Sequence, residues 1–158
     1  KSKMKFKLLL LMTIIGFSSI GFGQNLNMVI DVNGRLAVSE IGGAYLNFEY
    51  NDGTKDRILI GYHPGELILK NDSWDKITSD KTKKIILSFD YYTWKRGNQE
   101  IANFEVEMEK SHFQKSYLIL HVYDFRERKY RKKYGCLTDA EYITELNFSQ
   151  GGILVSCG

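Results

Sequence analysis

The sequence is poor in proline, histidine and cysteine, and this scarcity excludes several common kinds of site. It has one proline, three histidines and two cysteines among 158 residues. No two of these histidines and cysteines are spaced as a C-x-x-C or zinc-binding pattern requires. The G-x-S-x-G, H-E-x-x-H and glycine-rich phosphate-binding motifs are also absent. We therefore expect no metal and no cofactor, and the sequence gives no sign of a catalytic centre.

The residues that could still take part in catalysis have simpler interpretations. His121 lies in an apolar segment, where a single histidine is typical of a hydrogen-bonded core residue. Three alternating glutamates suggest the paired carboxylates of a glycosidase, but this spacing on one strand face is also typical of a solvated row that meets lysines on a neighbouring strand. These residues are Glu105, Glu107 and Glu109. Catalytic groups can converge from distant positions, so an enzyme stays an alternative.

The beginning of the chain has the order of a secretory signal peptide. Four lysines precede an apolar run that begins at Leu8, and Gly21 and Gly23 then supply the small residues of a cleavage site. The span 8–22 covers 15 residues, whereas about 20 are needed to cross a bilayer, which argues against the alternative of a membrane anchor. We expect cleavage after Gly23, so that Gln24 begins an exported protein, periplasmic or secreted, without a transmembrane anchor.

The positive charge of the whole chain comes from this leader. The chain has 22 basic and 19 acidic side chains. Removing residues 1–23 takes away four lysines and no acid, which leaves 18 basic against 19 acidic side chains, a net charge of −1. A near-neutral body has no general affinity for nucleic acid, and export argues against that partner too. Any basic binding surface must therefore be local.

Apolar and polar residues alternate in most segments after the leader. In 100–108, alternate positions are apolar, which is typical of a half-buried strand. Turn signals such as Asn33-Gly34 separate the segments. These criteria predict strands at 27–32, 35–41, 44–50, 56–62, 66–70, 83–93, 100–108, 116–124 and 141–148. Two further candidates are 128–134 and 152–157.

Many short strands and little helix predict an all-β protein. Only 71–77 and 108–115 are expected to form short helical turns. We expect one domain over 24–158, an antiparallel β-sandwich of immunoglobulin-like or Greek-key type with about nine strands. A closed β-barrel is the alternative. The segment 116–123 is apolar on both faces, so we expect it to form a central strand.

The segment RERKYRKKY at 126–134 packs six basic side chains and two tyrosines into nine positions. The preceding strand character favours a strand over 128–134, although a helix would also align Tyr130 and Tyr134 with Tyr123. A strand would turn a wholly basic face to solvent and its tyrosines toward the sandwich. It is then either a charged edge strand that prevents sheet association or a docking strip for an acidic surface. The strip comprises Lys129, Tyr130, Arg131, Lys132, Lys133 and Tyr134.

These observations predict a small non-catalytic binding module of the bacterial cell envelope or exterior. Export, an all-β body and missing catalytic motifs support it, and the ten tyrosines supply amphipathic contact area. Its partner would be an envelope protein or an acidic surface, such as lipid headgroups or an acidic glycan. The alternatives are a periplasmic inhibitor or immunity protein against a hydrolase or toxin, and an extracytoplasmic enzyme.

Cys136 and Cys157 are the two cysteines, and both belong to the part expected to be exported. An even count in an oxidising compartment predicts a disulfide bond. Closing the loop between them would stabilise the fold by about 3 kcal/mol and would hold the end of the chain in place. Two free thiols, or a redox or metal pair, are the alternatives.

Replacing Cys136 tests this disulfide. Cys136→Ser should lower the melting temperature under oxidising conditions and change it little under reducing conditions, because the wild-type bond is then already open. Thermal unfolding of both proteins in the two buffers measures the difference. A titre near two free thiols per chain, in native and denatured protein alike, would contradict the bond.

Overall fold

Two β-sheets make up most of the chain. The computed structural model describes residues 25–95, 97–134, 141–149 and 151–157. The predicted leader and its cleavage site lie outside the described residues. So does Cys136, and the predicted disulfide bond stays a prediction for that reason.

The described part of the chain contains eleven strands, two α-helices and one 3₁₀ helix. The strands are β1 (Leu26–Val32), β2 (Arg35–Leu36), β3 (Ile41–Tyr50), β4 (Lys55–Leu59), β5 (Gly61–His63), β6 (Gly65–Ile68), β7 (Thr82–Lys95), β8 (Asn98–Met108), β9 (Leu118–Asp124), β10 (Tyr142–Phe148) and β11 (Gly152–Cys157). The helices are α1 (Asn71–Thr78), the 3₁₀ helix (Lys110–Gln114) and α2 (Arg128–Tyr134). The short helices predicted near 71–77 and 108–115 are thus confirmed.

The described strands form two open sheets and not a closed barrel. The seven-stranded sheet has the order β11-β10-β9-β1-β6-β5, with β2 paired to β1, and the four-stranded sheet has the order β4-β3-β7-β8. The predicted central strand is confirmed, because β9 lies between β10 and β1. The expectation of purely antiparallel sheets is wrong, because β1 and β9 are parallel, with Met28 opposite Leu118. Parallel neighbours need a crossover connection, and this one runs through the whole four-stranded sheet.

One core lies between the two sheets. The alternation predicted in 100–108 is confirmed: the buried residues are Ala102, Phe104, Val106 and Met108, and the exposed ones include Asn103, Glu105 and Glu107. Leu46 and Phe104 of the four-stranded sheet belong to the same buried cluster as Met28 and Leu120 of the other. Burying one such side chain contributes about 1.5–3 kcal/mol. This shared core, and not any helix, therefore stabilises the fold.

The strand predicted at 35–41 is interrupted by a turn. After Leu36, the Glu40 carboxylate accepts hydrogen bonds from the backbone N–H groups of Val38 at 2.7 Å and Ser39 at 2.9 Å. These bonds, the one from Val38 above all, hold the pKa of the Glu40 carboxyl below its usual range. A side chain that satisfies the backbone locally competes with strand pairing, so β3 begins only after this turn.

Two other predicted strands also differ from the structure. The strand expected at 56–62 is divided between β4 and β5. At the division Ile60 donates a backbone hydrogen bond to the Ala44 carbonyl at 3.0 Å, and the chain passes from the four-stranded to the seven-stranded sheet. The strand expected at 128–134 is the helix α2.

Tyr142 of the seven-stranded sheet closes part of the open edge of β8. Its phenol accepts a hydrogen bond from the Glu105 N–H at 2.8 Å and donates one to the Glu105 carbonyl at 3.0 Å. Its ring packs edge-on against Phe104, with centroids 5.0 Å apart. Unpaired groups on a strand edge invite pairing with another chain. Tyr142 satisfies two of them and ties the sheets together.

Tyr142→Phe should lower the free energy of unfolding by about 1–2 kcal/mol, because the Glu105 backbone groups lose their partner while the ring packing stays. Urea denaturation measures the change. Tyr117→Phe is the matched control, since Tyr117 is 47% exposed. Equal stability of the two variants would show that the phenol does not tie the sheets.

Candidate functional site

Residues 128–134 form the helix α2, so the prediction of a strand is wrong. After β9 the chain turns at once, because the Glu127 N–H donates to the Asp124 carbonyl at 3.2 Å. Tyr130 and Tyr134 are four residues apart, a spacing that places them on one side of either a strand or a helix. Cations in the last turn also suit the helix dipole. The turn at the end of β9 decides between the two.

The tyrosines of α2 fix the helix to the seven-stranded sheet. Tyr130 is buried, and its phenol donates a hydrogen bond to the Asn33 carbonyl at 2.6 Å. The Tyr123 ring on β9 lies 5.5 Å from the Tyr130 ring and 4.4 Å from the Tyr134 ring, measured between centroids. Burial raises the pKa of the Tyr123 phenol above its ordinary value. The tyrosines thus form one packed stack beneath the helix.

Asn33 presents its carbonyl to α2 from the tight turn between β1 and β2. Asn33 and Gly34 have φ angles of 56° and 77°, the left-handed conformation that this hairpin turn requires. The Asp31 carboxylate accepts a hydrogen bond from the Gly34 N–H at 2.9 Å. The hairpin predicted from Asn33-Gly34 is confirmed, and it positions the helix.

The basic side chains of α2 are exposed, and they are Arg128, Lys129, Arg131, Lys132 and Lys133. The ammonium groups of Lys129 and Lys133 lie 5.1 and 4.9 Å from the ring centroids of Tyr130 and Tyr134. No carboxylate of the described residues forms an ion pair with Lys129, Lys132 or Lys133. We call the surface formed by the five basic side chains of α2 the basic face.

Arg126 clamps Asp124 at the junction of β9 and α2. Its Nε lies 2.8 and 3.1 Å from the two carboxylate oxygens, and its Nη2 lies 2.6 Å from one of them. Asp124 is only 6% exposed. A bidentate arginine compensates a buried carboxylate for the loss of water. The hydrogen bonds to Asp124 raise the pKa of the Arg126 guanidinium. Its Nη1 also donates to the Ile101 carbonyl at 3.3 Å, so the clamp joins the two sheets.

Three depressions lie beside the β7–β8 hairpin and β8, with volumes of about 430, 320 and 440 Å³. Tyr92, Trp94 and Gln99 line the first, which lies on the opposite face of the hairpin from the other two because successive strand residues point to opposite faces. Asp124 and Arg126 line both the second and the third, Trp94 also lines the second, and Arg131 lines the third. We call the second and third depressions together the β8 groove.

Sequence reasoning missed Trp94 and Arg126. Trp94 is 74% exposed because it lies on an extension of the β7–β8 hairpin, beyond Tyr91, the last residue of β7 that pairs with β3. The adjacent turn at Gly97 was the only signal in the sequence. No sequence pattern indicates the contacts of Arg126, because its partners include residues that become neighbours only in the folded chain.

A further depression of about 610 Å³ lies on the four-stranded sheet, and several of its charged side chains already have partners. Lys84 pairs with Glu107 at 2.9 Å, and the Arg57 guanidinium lies 3.5 Å from the Tyr45 ring centroid. The pair of Lys84 and Glu107 confirms the predicted row of solvated glutamates at that position. Glu105 and Glu109 are exposed as well.

The histidines occupy three different environments. His63 is exposed and lies beside the turn at Pro64-Gly65. His112 is buried, and its Nδ1 accepts a hydrogen bond from the Glu109 N–H at 3.1 Å. The prediction that His121 is a core residue is wrong, because its side chain is 28% exposed. Its Nδ1 lies 3.5 Å from an Asp31 carboxylate oxygen. In the part of the chain that the structure describes, no group of three or more His, Cys, Asp or Glu residues could hold a metal ion.

No family model matches the chain, and neither a curated protein nor a solved structure matches it. No helix in the described ranges has both the length and the apolar character needed to span a membrane.

His112 should make stability depend on pH. Burial lowers its pKa, so the unfolded chain takes up a proton more readily, at about pH 6.5. The stability that neutral His112 contributes is complete above that pH and is lost as the pH falls from there toward the folded pKa. His112→Asn keeps a hydrogen-bond acceptor for Glu109 and should flatten the loss of stability between pH 7 and pH 5.

Urea denaturation at a series of pH values measures this slope. His63→Asn, at an exposed position, is the matched control and should keep the wild-type profile. The assignment fails if His112→Asn loses stability on acidification as steeply as the wild-type protein does.

Proposed function

We propose that this chain is a non-catalytic binding module that docks an acidic partner through the basic face of α2. The observation that carries the proposal is the exposure of five cationic side chains on a helix whose tyrosines are packed against the sheet. The apolar side of the helix is thus occupied, and its charged side faces solvent.

The helical form of this segment argues against the alternative of a charged edge strand. A charged edge strand would have protected a sheet edge, but α2 is not part of either sheet. The helix has seven residues, a length of about 10 Å at 1.5 Å per residue. The screening length at physiological ionic strength is about 8 Å, so the five cations act on a partner as one field.

The remainder of the expected mature protein has no excess of basic groups, which favours a local docking surface over general polyanion affinity. The leader expected at 1–23 supports an exported protein, periplasmic or secreted. The two-sheet body suits an immunoglobulin-like or Greek-key connectivity, apart from its one parallel pair. A rigid body of this kind presents a surface helix with little loss of conformational entropy on binding.

The test replaces Lys129, Lys132 and Lys133 with glutamine, which keeps helix propensity and removes three charges. The probe is polyaspartate, measured by titration calorimetry at low and physiological salt. Each exposed charge contributes a few tenths of a kcal/mol, so the triple variant should lose about tenfold in affinity at low salt. Its remaining binding should depend less on salt than that of the wild-type protein.

The matched control replaces three exposed lysines elsewhere, and these are Lys55, Lys70 and Lys81. It changes the net charge equally and should bind polyaspartate almost as the wild-type protein does. Unfolding curves should show that both variants stay folded. If the two triple variants bind equally, α2 is not the docking surface.

A further inference from the structure

The β8 groove connects the basic face to an exposed aromatic ring. It begins beside Trp94, passes the clamp of Arg126 and Asp124, and reaches Arg131 of α2. Its β8 wall runs from Glu100 to Phe104. At roughly 3.4 Å per residue this stretch is about 14 Å long. A groove of that length suits an extended oligomer better than a single small molecule.

Trp94 is the most exposed large apolar side chain among the described residues, at 74%. Ile101, which lines the third depression, is 52% exposed. Exposed apolar area adjoining depressions is typical of binding sites. A flat indole ring can stack against a ring that has an apolar face, so the ligand should contain such rings.

The side chains around Trp94 include hydrogen-bond donors and acceptors in similar numbers. The second depression has the cations Arg35, Lys95 and Arg126 and the acids Glu100, Asp124 and Glu127. On the other face of the hairpin, Ser39, Glu40 and Gln99 lie around Trp94 in the first depression. A ligand that is only anionic would be repelled by the carboxylates. A hydroxyl group both donates and accepts, so a hydroxyl-rich ligand can use both kinds of wall.

We infer that the acidic partner is an acidic polysaccharide, which lies along the β8 groove with one sugar ring stacked on Trp94. Its hydroxyls bond the mixed walls of the groove, and its carboxylates meet Arg131 and the basic face. This inference rests on the proposed function, because the basic face supplies the charge recognition. It adds Trp94 as the residue that selects a sugar over other polyanions.

Three probes separate ring recognition from charge recognition. Polygalacturonate has sugar rings and carboxylates, its fully methyl-esterified form has the same rings without charge, and polyaspartate has charge without sugar rings. The wild-type protein should bind polygalacturonate at least tenfold more tightly than either other probe. Trp94→Ala should reduce polygalacturonate affinity about tenfold and leave polyaspartate affinity unchanged, whereas Trp94→Phe should keep part of the preference.

Fluorescence reports the stacking directly, because the chain has two tryptophans and Trp74→Phe leaves Trp94 as the single reporter. Polygalacturonate should change the Trp94 emission, and polyaspartate should not. Tyr117→Ala, which removes a ring that is 47% exposed, is the matched control and should bind all three probes as the wild-type protein does.

The outcomes distinguish the two proposals. If polyaspartate binds as tightly as polygalacturonate, or Trp94→Ala binds polygalacturonate normally, the polysaccharide is excluded. The proposed function survives that result if the lysine variant of α2 still binds polyaspartate less tightly. If the lysine variant binds polyaspartate and polygalacturonate normally, both proposals fail.

Discussion

The pairing of Asp124 with Arg126 is the interaction on which the end of the molecule with α2 and the β8 groove depends. It lies where β9 ends, and the Arg126 guanidinium bonds both the buried carboxylate and the Ile101 carbonyl of the other sheet. The Asp124 N–H in turn donates to the Asn33 side chain at 2.9 Å. A buried carboxylate without its partner would be strongly destabilising. The pair therefore fixes the turn into α2, the contact between the sheets and the middle of the β8 groove together.

The tyrosines and the basic side chains of α2 lie on different sides of the helix. Tyr130 and Tyr134 give the helix an anchoring side, and the basic side chains fill the remainder of its surface. A helix this short would be marginal alone in water, so its stability must come from the tyrosine stack and the bond to the Asn33 carbonyl. The positions of the cations are thus set by the apolar packing of the helix that carries them.

The sequence predicts the sheets better than it predicts the site, and the reason is physical. Apolar residues in a strand occupy the faces that are buried. The buried face of β8 and the central position of β9 could therefore be predicted from the sequence. The parallel pairing of β1 with β9 could not be predicted, because apolar and polar residues alternate in the same way in parallel and antiparallel strands. The spacing of Tyr130 and Tyr134 fits both a strand and a helix, and the deciding turn involves the backbone of Asp124. The β8 groove joins residues from remote segments, so local patterns could not reveal it.

Rigidity links the two parts of the proposed binding surface. The β7–β8 hairpin that carries Trp94 is bonded through Ile101 to Arg126, and Arg126 lies two residues before α2 begins. The backbone of the hairpin and the start of α2 are therefore joined before any ligand arrives. A ligand that spans both sites gains the second contact without the cost of ordering a loop. Charge alone would attract any polyanion, and in the proposed site Trp94 beside the charges provides the preference for a polymer with sugar rings.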